Sequence, residues 1–116
     1  MSERIIRRGE IYWVKLDPTF GKEVNKTRPC VIISNNRQNE YSPLVIVLLI
    51  TSDLDRIYPF EVVFSFGQGQ AKVLTDQVRS IDKKRLENWI DKVSENVMDE
   101  ISEKMKRVMA LEKEYE

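Results

Sequence analysis

The run Leu44-Val45-Ile46-Val47-Leu48-Leu49-Ile50 constrains the fold more than any other stretch of the chain. It is apolar at every position, so a strand made from it must be covered on both faces, and its β-branched residues favour extended backbone. At seven residues it is well short of the roughly 20 that a membrane-spanning helix needs. It predicts the central strand of a small sheet.

Shorter strands are expected around it. Glu10 to Asp17 alternates, with Tyr12, Val14 and Leu16 on one side and Ile11, Trp13 and Lys15 on the other. Asp17-Pro18 breaks that strand, and Thr19 to Thr27 reads as a polar loop. Pro29 opens a second strand, Cys30 to Ser34, and a polar loop follows to Ser42. Phe60 to Phe66 alternates again, Gly67-Gln68-Gly69 signals a turn, and Lys72 to Ile81 makes a fifth strand. The remainder reads as helical: a short turn at Asp82 to Leu86, then a longer helix capped by Ser94, with Val93 and Met98 placed for a hydrophobic staple. On that helix Val97, Met98, Ile101, Met105, Val108, Met109 and Tyr115 share one face, which Lys104 and Glu112 interrupt. The expectation is a mainly β, α+β fold: a curled sheet or half-open barrel with a C-terminal helix. At 116 residues the chain fits one domain, 1–116.

Composition narrows the chemistry. Histidine is absent, which removes histidine–zinc sites, serine–histidine triads and paired-histidine RNA hydrolysis. A lone Cys30 forms no intramolecular disulfide and no zinc cluster, and no apolar segment follows Arg4, Arg7 and Arg8 as a signal peptide would require. A reducing cytoplasm is the expected compartment. No glycine-rich loop precedes a helix, and Asp53 and Asp55, the close acidic pair on a β loop, read as solvated carboxylates; no metal and no cofactor are expected. Nineteen basic residues balance nineteen acidic ones, yet residues 1–37 carry a net +4 and residues 94–116 a net −3. An anionic ligand is therefore expected near the N-terminal half, although a mixed surface of this kind is also compatible with no ligand at all.

The informative cluster brackets the loop after the first strand. Gly21-Lys22-Glu23 and Arg28-Pro29 sit at its ends, and Thr51-Ser52 sits where the central strand exits. If the two strands are neighbours, about 4.8 Å apart, Arg28 and Thr51 reach one site at the rim of the sheet. Arginine offers a rigid fork of donors for phosphate, and a threonine hydroxyl donates to a phosphate oxygen or passes a proton. The competing reading is a surface ion pair between Arg28 and Glu23.

Five segments in order then resemble the MazF/PemK/Kid family of toxin ribonucleases from bacterial toxin–antitoxin systems. They are Arg8-Gly9-Glu10-Ile11-Tyr12-Trp13-Val14 with Leu16-Asp17-Pro18; Gly21-Lys22-Glu23 with Thr27-Arg28-Pro29; Val47 to Ser52; Tyr58-Pro59-Phe60-Glu61-Val62-Val63; and Leu74-Thr75-Asp76-Gln77-Val78-Arg79-Ser80-Ile81-Asp82. The resemblance implies an SH3-like half-open barrel of the PemK/CcdB type and a homodimer held in check by a cognate MazE-like antitoxin. It also implies metal-independent cleavage of single-stranded messenger RNA, in which the ribose 2′-hydroxyl attacks the adjacent phosphate to leave a cyclic phosphate and a 5′-hydroxyl.

On the same resemblance Arg28 and Thr51 are the catalytic pair, with Arg28 expected to stabilise the transition state. Glu23 is either the base for the 2′-hydroxyl or the residue that orients Arg28. Lys22 and Lys26 belong to a cationic groove beside Arg28, and Phe20, Thr27, Ser52, Asp76 and Gln77 complete the expected RNA-binding set. Phe20, Tyr41 and Tyr58 fall in or beside loops where bases could stack. Two departures stand out. Val24-Asn25-Lys26 replaces the glycine-containing pairs common before the arginine, and Lys22 stands where some relatives carry a histidine. Two readings compete with the nuclease. One is a CcdB-like toxin that binds gyrase without cleaving RNA; the other is an inactive SH3-like interaction domain.

Overall fold

The structure is a computed structural model that describes residues 5–16 and 27–112. Among these residues six strands form one antiparallel sheet: β1 Glu10–Lys15, β2 Thr27–Ile32, β3 Leu44–Thr51, β4 Val62–Phe66, β5 Gly69–Asp82 and β6 Leu86–Lys92. Their order across the sheet is β4-β5-β3-β2-β1-β6, so the all-apolar β3 lies in its middle as its sequence requires. Two helices join them, α1 at Asn36–Tyr41 and α2 at Glu95–Val108, and a 3₁₀ turn spans Lys83–Arg85. The sheet curls into a half-barrel.

Both faces of the sheet carry a core. Ile11, Val31, Leu48, Ile50, Val62 and Val73 pack with Ile101 and Met105 of α2 on one face. Tyr12, Val14, Cys30, Ile32, Val45, Val47 and Ile81 pack together on the other. The expected alternation of β1 is realised, because Ile11 joins the first core while Tyr12, Val14 and Leu16 join the second. On α2, Ser94 caps through its side chain to the Val97 amide at 3.2 Å, and Val93 and Met98 pack into the same core. The apolar face of that helix divides: Ile101 and Met105 are buried, whereas Val108 and Met109 are exposed. Tyr115 lies outside the described residues.

Two elements differ from the sequence expectation. Leu86–Lys92 is a strand, not part of a helical remainder. Its apolar residues Leu86, Trp89 and Ile90 fall at helical spacing, and as the edge of the sheet it pairs only with β1, through two register shifts that erase alternation. Asn36–Tyr41 is a short helix rather than loop. No apolar periodicity announces it; it is held by the Asn35 cap on the Gln38 amide and by buried Asn39, whose amide donates to the Ser34 carbonyl at 2.9 Å. Pro29 sits inside β2 rather than opening it. It pairs with Trp13 of β1, but the β3 ladder begins only at Cys30, so no bond to β3 is lost for want of an N–H.

Candidate active site

Three adjacent strands carry the site. The β2–β3 ladder pairs Ile32 with Val47, Val31 with Leu48 and Cys30 with Leu49. Carried two residues further, the same register sets Arg28 across from Thr51. Thr51 in turn is paired with Lys72 of β5. Arg28, Thr51 and Lys72 therefore form a transverse row, one residue per strand, on the sheet face that also bears Cys30 and Leu49. Strands lie about 4.8 Å apart, so side chains as long as arginine and lysine can converge over the threonine between them. The two strands are neighbours, as the shared-site argument requires.

A cleft of about 400 Å³ opens over this row. Leu49, Ile50 and Leu74 give it an apolar floor, and Arg28, Thr51, Asp53, Lys72 and Gln77 supply the polar groups. Arg28 is exposed, and its side chain makes no hydrogen bond or ion pair with another described residue. Thr51 is oriented by its own loop: its Oγ1 accepts from the Asp53 amide at 3.1 Å. With that lone pair occupied, the hydroxyl hydrogen is left to be donated. The Asp53 carboxylate accepts from the Asp55 amide at 3.1 Å, an Asx turn that shapes the loop leaving β3.

Gln77 reaches the cleft because β5 is irregular. Leu74 pairs with Leu49 but Val78 pairs with Leu48, so residues 75–77 are an outward bulge between two consecutive β3 partners. Thr75 anchors it, buried and donating from Oγ1 to the Phe60 carbonyl. Asp76 and Gln77 stand exposed on it. Bulges of this kind re-aim side chains next to functional sites.

Of the sequence-derived candidates, Arg28, Thr51 and Gln77 are brought together around one cleft. Thr27, Ser52 and Asp76 are exposed beside it and do not line it. Phe20, Lys22, Glu23 and Lys26 lie outside the described residues. Three residues at the cleft were not among the sequence-derived site candidates. Asp53 is at the cleft rather than merely solvated. Lys72 lines it from beneath, and Glu61 holds Lys72 in an ion pair of 2.9 Å with both side chains buried. A lysine near the start of a strand ordinarily meets water; the pairing of Lys72 with Thr51 and its ion pair with Glu61 reveal its buried setting. Among the described residues no three His, Cys, Asp or Glu side chains group as metal ligands.

A half-open β-barrel closed by a C-terminal helix, with an arginine–threonine cleft at its rim, is the architecture of a class of small barrel toxins. A MazE–MazF complex from Deinococcus radiodurans superposes on it with a TM-score of 0.82 at 25% identity, over 95% of this chain and all of that one. The endoribonuclease MazF9 of Mycobacterium tuberculosis is 36% identical, the match covering 88% of this chain and 94% of the relative. The endoribonuclease EndoA of Bacillus subtilis is 32% identical over 92% of this chain and 97% of its own length. Residues 7–109 match the family described as the PemK-like, MazF-like toxin of type II toxin–antitoxin systems. The chain belongs to that family.

Proposed function

We propose that this protein is a sequence-specific endoribonuclease toxin that cuts single-stranded messenger RNA without a metal ion. The observation that carries the reading is the convergence of Arg28 and Thr51, from two neighbouring strands, on one cleft with an apolar floor. In the reaction the 2′-oxygen bonds to phosphorus and gives up its proton, the bond from phosphorus to the 5′-oxygen breaks, and the 5′-oxygen gains a proton. Negative charge gathers on the non-bridging oxygens, where Arg28 supplies a charged fork of donors. Thr51, its Oγ1 already engaged by the Asp53 amide, gives its hydroxyl hydrogen to the same oxygens or to the leaving group. Glu23 is the base for the 2′-hydroxyl or the group that orients Arg28. Gln77 meets an unstacked base edge beside the cleft, with Thr27, Ser52 and Asp76 at its margin.

The proposal extends to a cytoplasmic homodimer, one toxin domain per chain, neutralised by a cognate MazE-like antitoxin. The named relatives are endoribonucleases and a solved neighbour is a MazE–MazF complex, which supports the nuclease over a CcdB-like gyrase binder or an inert interaction module. No helix among the described residues is long and apolar enough to cross a membrane.

The test is cleavage of unstructured RNA by purified protein in excess chelator. Activity should persist, with products ending in 2′,3′-cyclic phosphate and 5′-hydroxyl. A strict magnesium requirement or 5′-phosphate ends would overturn the reading.

A further inference from the structure

We propose that Lys72 is a third phosphate-contacting residue of the cleft and that Glu61 is the residue that positions it. The inference rests on the nuclease reading and deepens it. Lys72 is the cross-strand partner of Thr51, and it lines the cleft that Arg28 and Thr51 share. Its side chain is only 8% exposed and that of Glu61 only 5%. A buried ammonium needs a counter-charge and hydrogen-bond partners. Two of its three N–H donors are accounted for, one by Glu61 Oε1 at 2.9 Å and one by the Arg56 carbonyl. The third has no acceptor among the described residues.

The arrangement around Glu61 is built to hold the ammonium still. The same Oε1 also accepts from the Tyr58 amide at 2.9 Å, so one carboxylate oxygen ties the 56–61 segment to the floor of the cleft. Thr75 tethers that segment a second time through the Phe60 carbonyl. A lysine fixed by two acceptors, with one donor left over beside Thr51, is preorganised for an anion that enters between Thr51 and Arg28. Because the Lys72 ammonium is itself largely shielded from water, its charge acts at short range with little screening. A phosphodiester fits this row: its non-bridging oxygens would be met by the Arg28 fork on one side, the Thr51 hydroxyl in the middle and the Lys72 ammonium on the other.

Lys72→Met keeps the stem and removes the charge, but it leaves Glu61 buried alone, so the double variant Lys72→Met/Glu61→Gln removes both charges of the pair. The double variant should fold, as judged by thermal unfolding and circular dichroism. In single-turnover cleavage it should lose about tenfold or more in rate, the scale of one charge-assisted hydrogen bond. The slope of log affinity against log salt for RNA should also fall, by about 0.7, the single-strand value for one phosphate contact. Glu61→Gln alone should lower kcat without raising KM, because the charge remains while its aim is lost. The exchanged pair, Lys72→Glu/Glu61→Lys, restores a buried ion pair but turns a carboxylate toward the cleft. It should be the least active of the set. A merely structural pair predicts the reverse: the exchange rescues activity, and the salt slope stays at the wild-type value in every variant. A folded double variant with wild-type rate and salt slope would overturn the proposal while leaving wild-type cleavage, and so the nuclease reading, intact. If the wild type cleaves no RNA, the nuclease reading itself fails.

Discussion

At the scale of single residues, Arg28 and Thr51 differ in what surrounds them, and their variants should differ accordingly. Arg28 is exposed and, among the described residues, uncommitted, so Arg28→Ala removes a donor without disturbing the core. It should lose at least about 2.7 kcal/mol of transition-state stabilisation, roughly a hundredfold in rate, with unchanged thermal unfolding. Thr51→Ala deletes both the donated hydrogen and the acceptor for the Asp53 amide, so it should cost about tenfold in rate and loosen the Asp53 loop as well. Single-turnover kinetics beside an unfolding curve separates the two effects. Cys30 presents the opposite case of a buried group with no role in the cleft chemistry. Burial pushes its thiol from 9.0 up to about 12, against the smaller lowering influence of Arg79. The unfolded chain loses this proton near pH 9 and the native chain holds it to about 12. The stabilisation is complete below pH 9 and drains away as pH rises toward 12, by up to about 1.4 kcal/mol per pH unit. The stability advantage of wild type over Cys30→Ala should therefore shrink between about pH 8 and pH 10.5 in urea unfolding. Native Cys30 should also resist alkylation at neutral pH, because the reactive thiolate is scarce.

Among the elements, α2 is held by its cap and by an apolar face centred on buried Ile101 and Met105. Ser94→Ala should cost about 1 kcal/mol and Ile101→Ala about 2–5 kcal/mol, measured by chemical denaturation. The larger loss belongs to Ile101 because it is fully buried in the first core, whereas the cap bond is at an exposed helix start. Legibility follows burial in the same way. The central strand, the alternation of β1, the Gly67-Gln68 turn and the Ser94 cap could be read from residue order, because each is dictated by local chemistry or by a core that one pattern must satisfy. Gly67 indeed carries a positive φ of 61° at the turn. The strand β6 could not be read, since an edge strand with exposed residues has little pattern to display. The site divides likewise. Arg28 and Thr51 were visible as a pair once the two strands were taken as neighbours, while Lys72 needed the β3–β5 register, a fact about two segments 21 positions apart (Thr51 and Lys72) that neither segment encodes alone. The bulge at 75–77 escaped for the same reason, because a strand sequence does not announce where its partner falls out of step.

For the molecule as a whole, assembly and inhibition are the predictions that matter. Met109 and Leu111, at 52% and 64% exposure, leave apolar surface beyond the buried part of α2, next to a groove of about 300 Å³ reaching Ile33 and Met105. A second chain or partner would cover such surface at little desolvation cost. Light scattering at micromolar concentration should give twice the chain mass of 13.7 kDa. An acidic antitoxin tail should compete with RNA for the cleft and the cations beside it, and the competition should weaken with salt, since exposed charges are screened over about 8 Å at physiological ionic strength. An antitoxin that inhibits while RNA stays bound would place its contact elsewhere. The bulge in β5 carries a consequence at this scale too. Its three residues occupy no place in the β3 ladder, so the chain can gain or lose length there while every barrel pair on either side keeps its partner. Gln77 thus hangs on slack that the architecture does not need. Selection, or a designer, can lengthen, shorten or rewrite that slack to change what meets the cleft, and the cost to the barrel stays confined to the Thr75 tether.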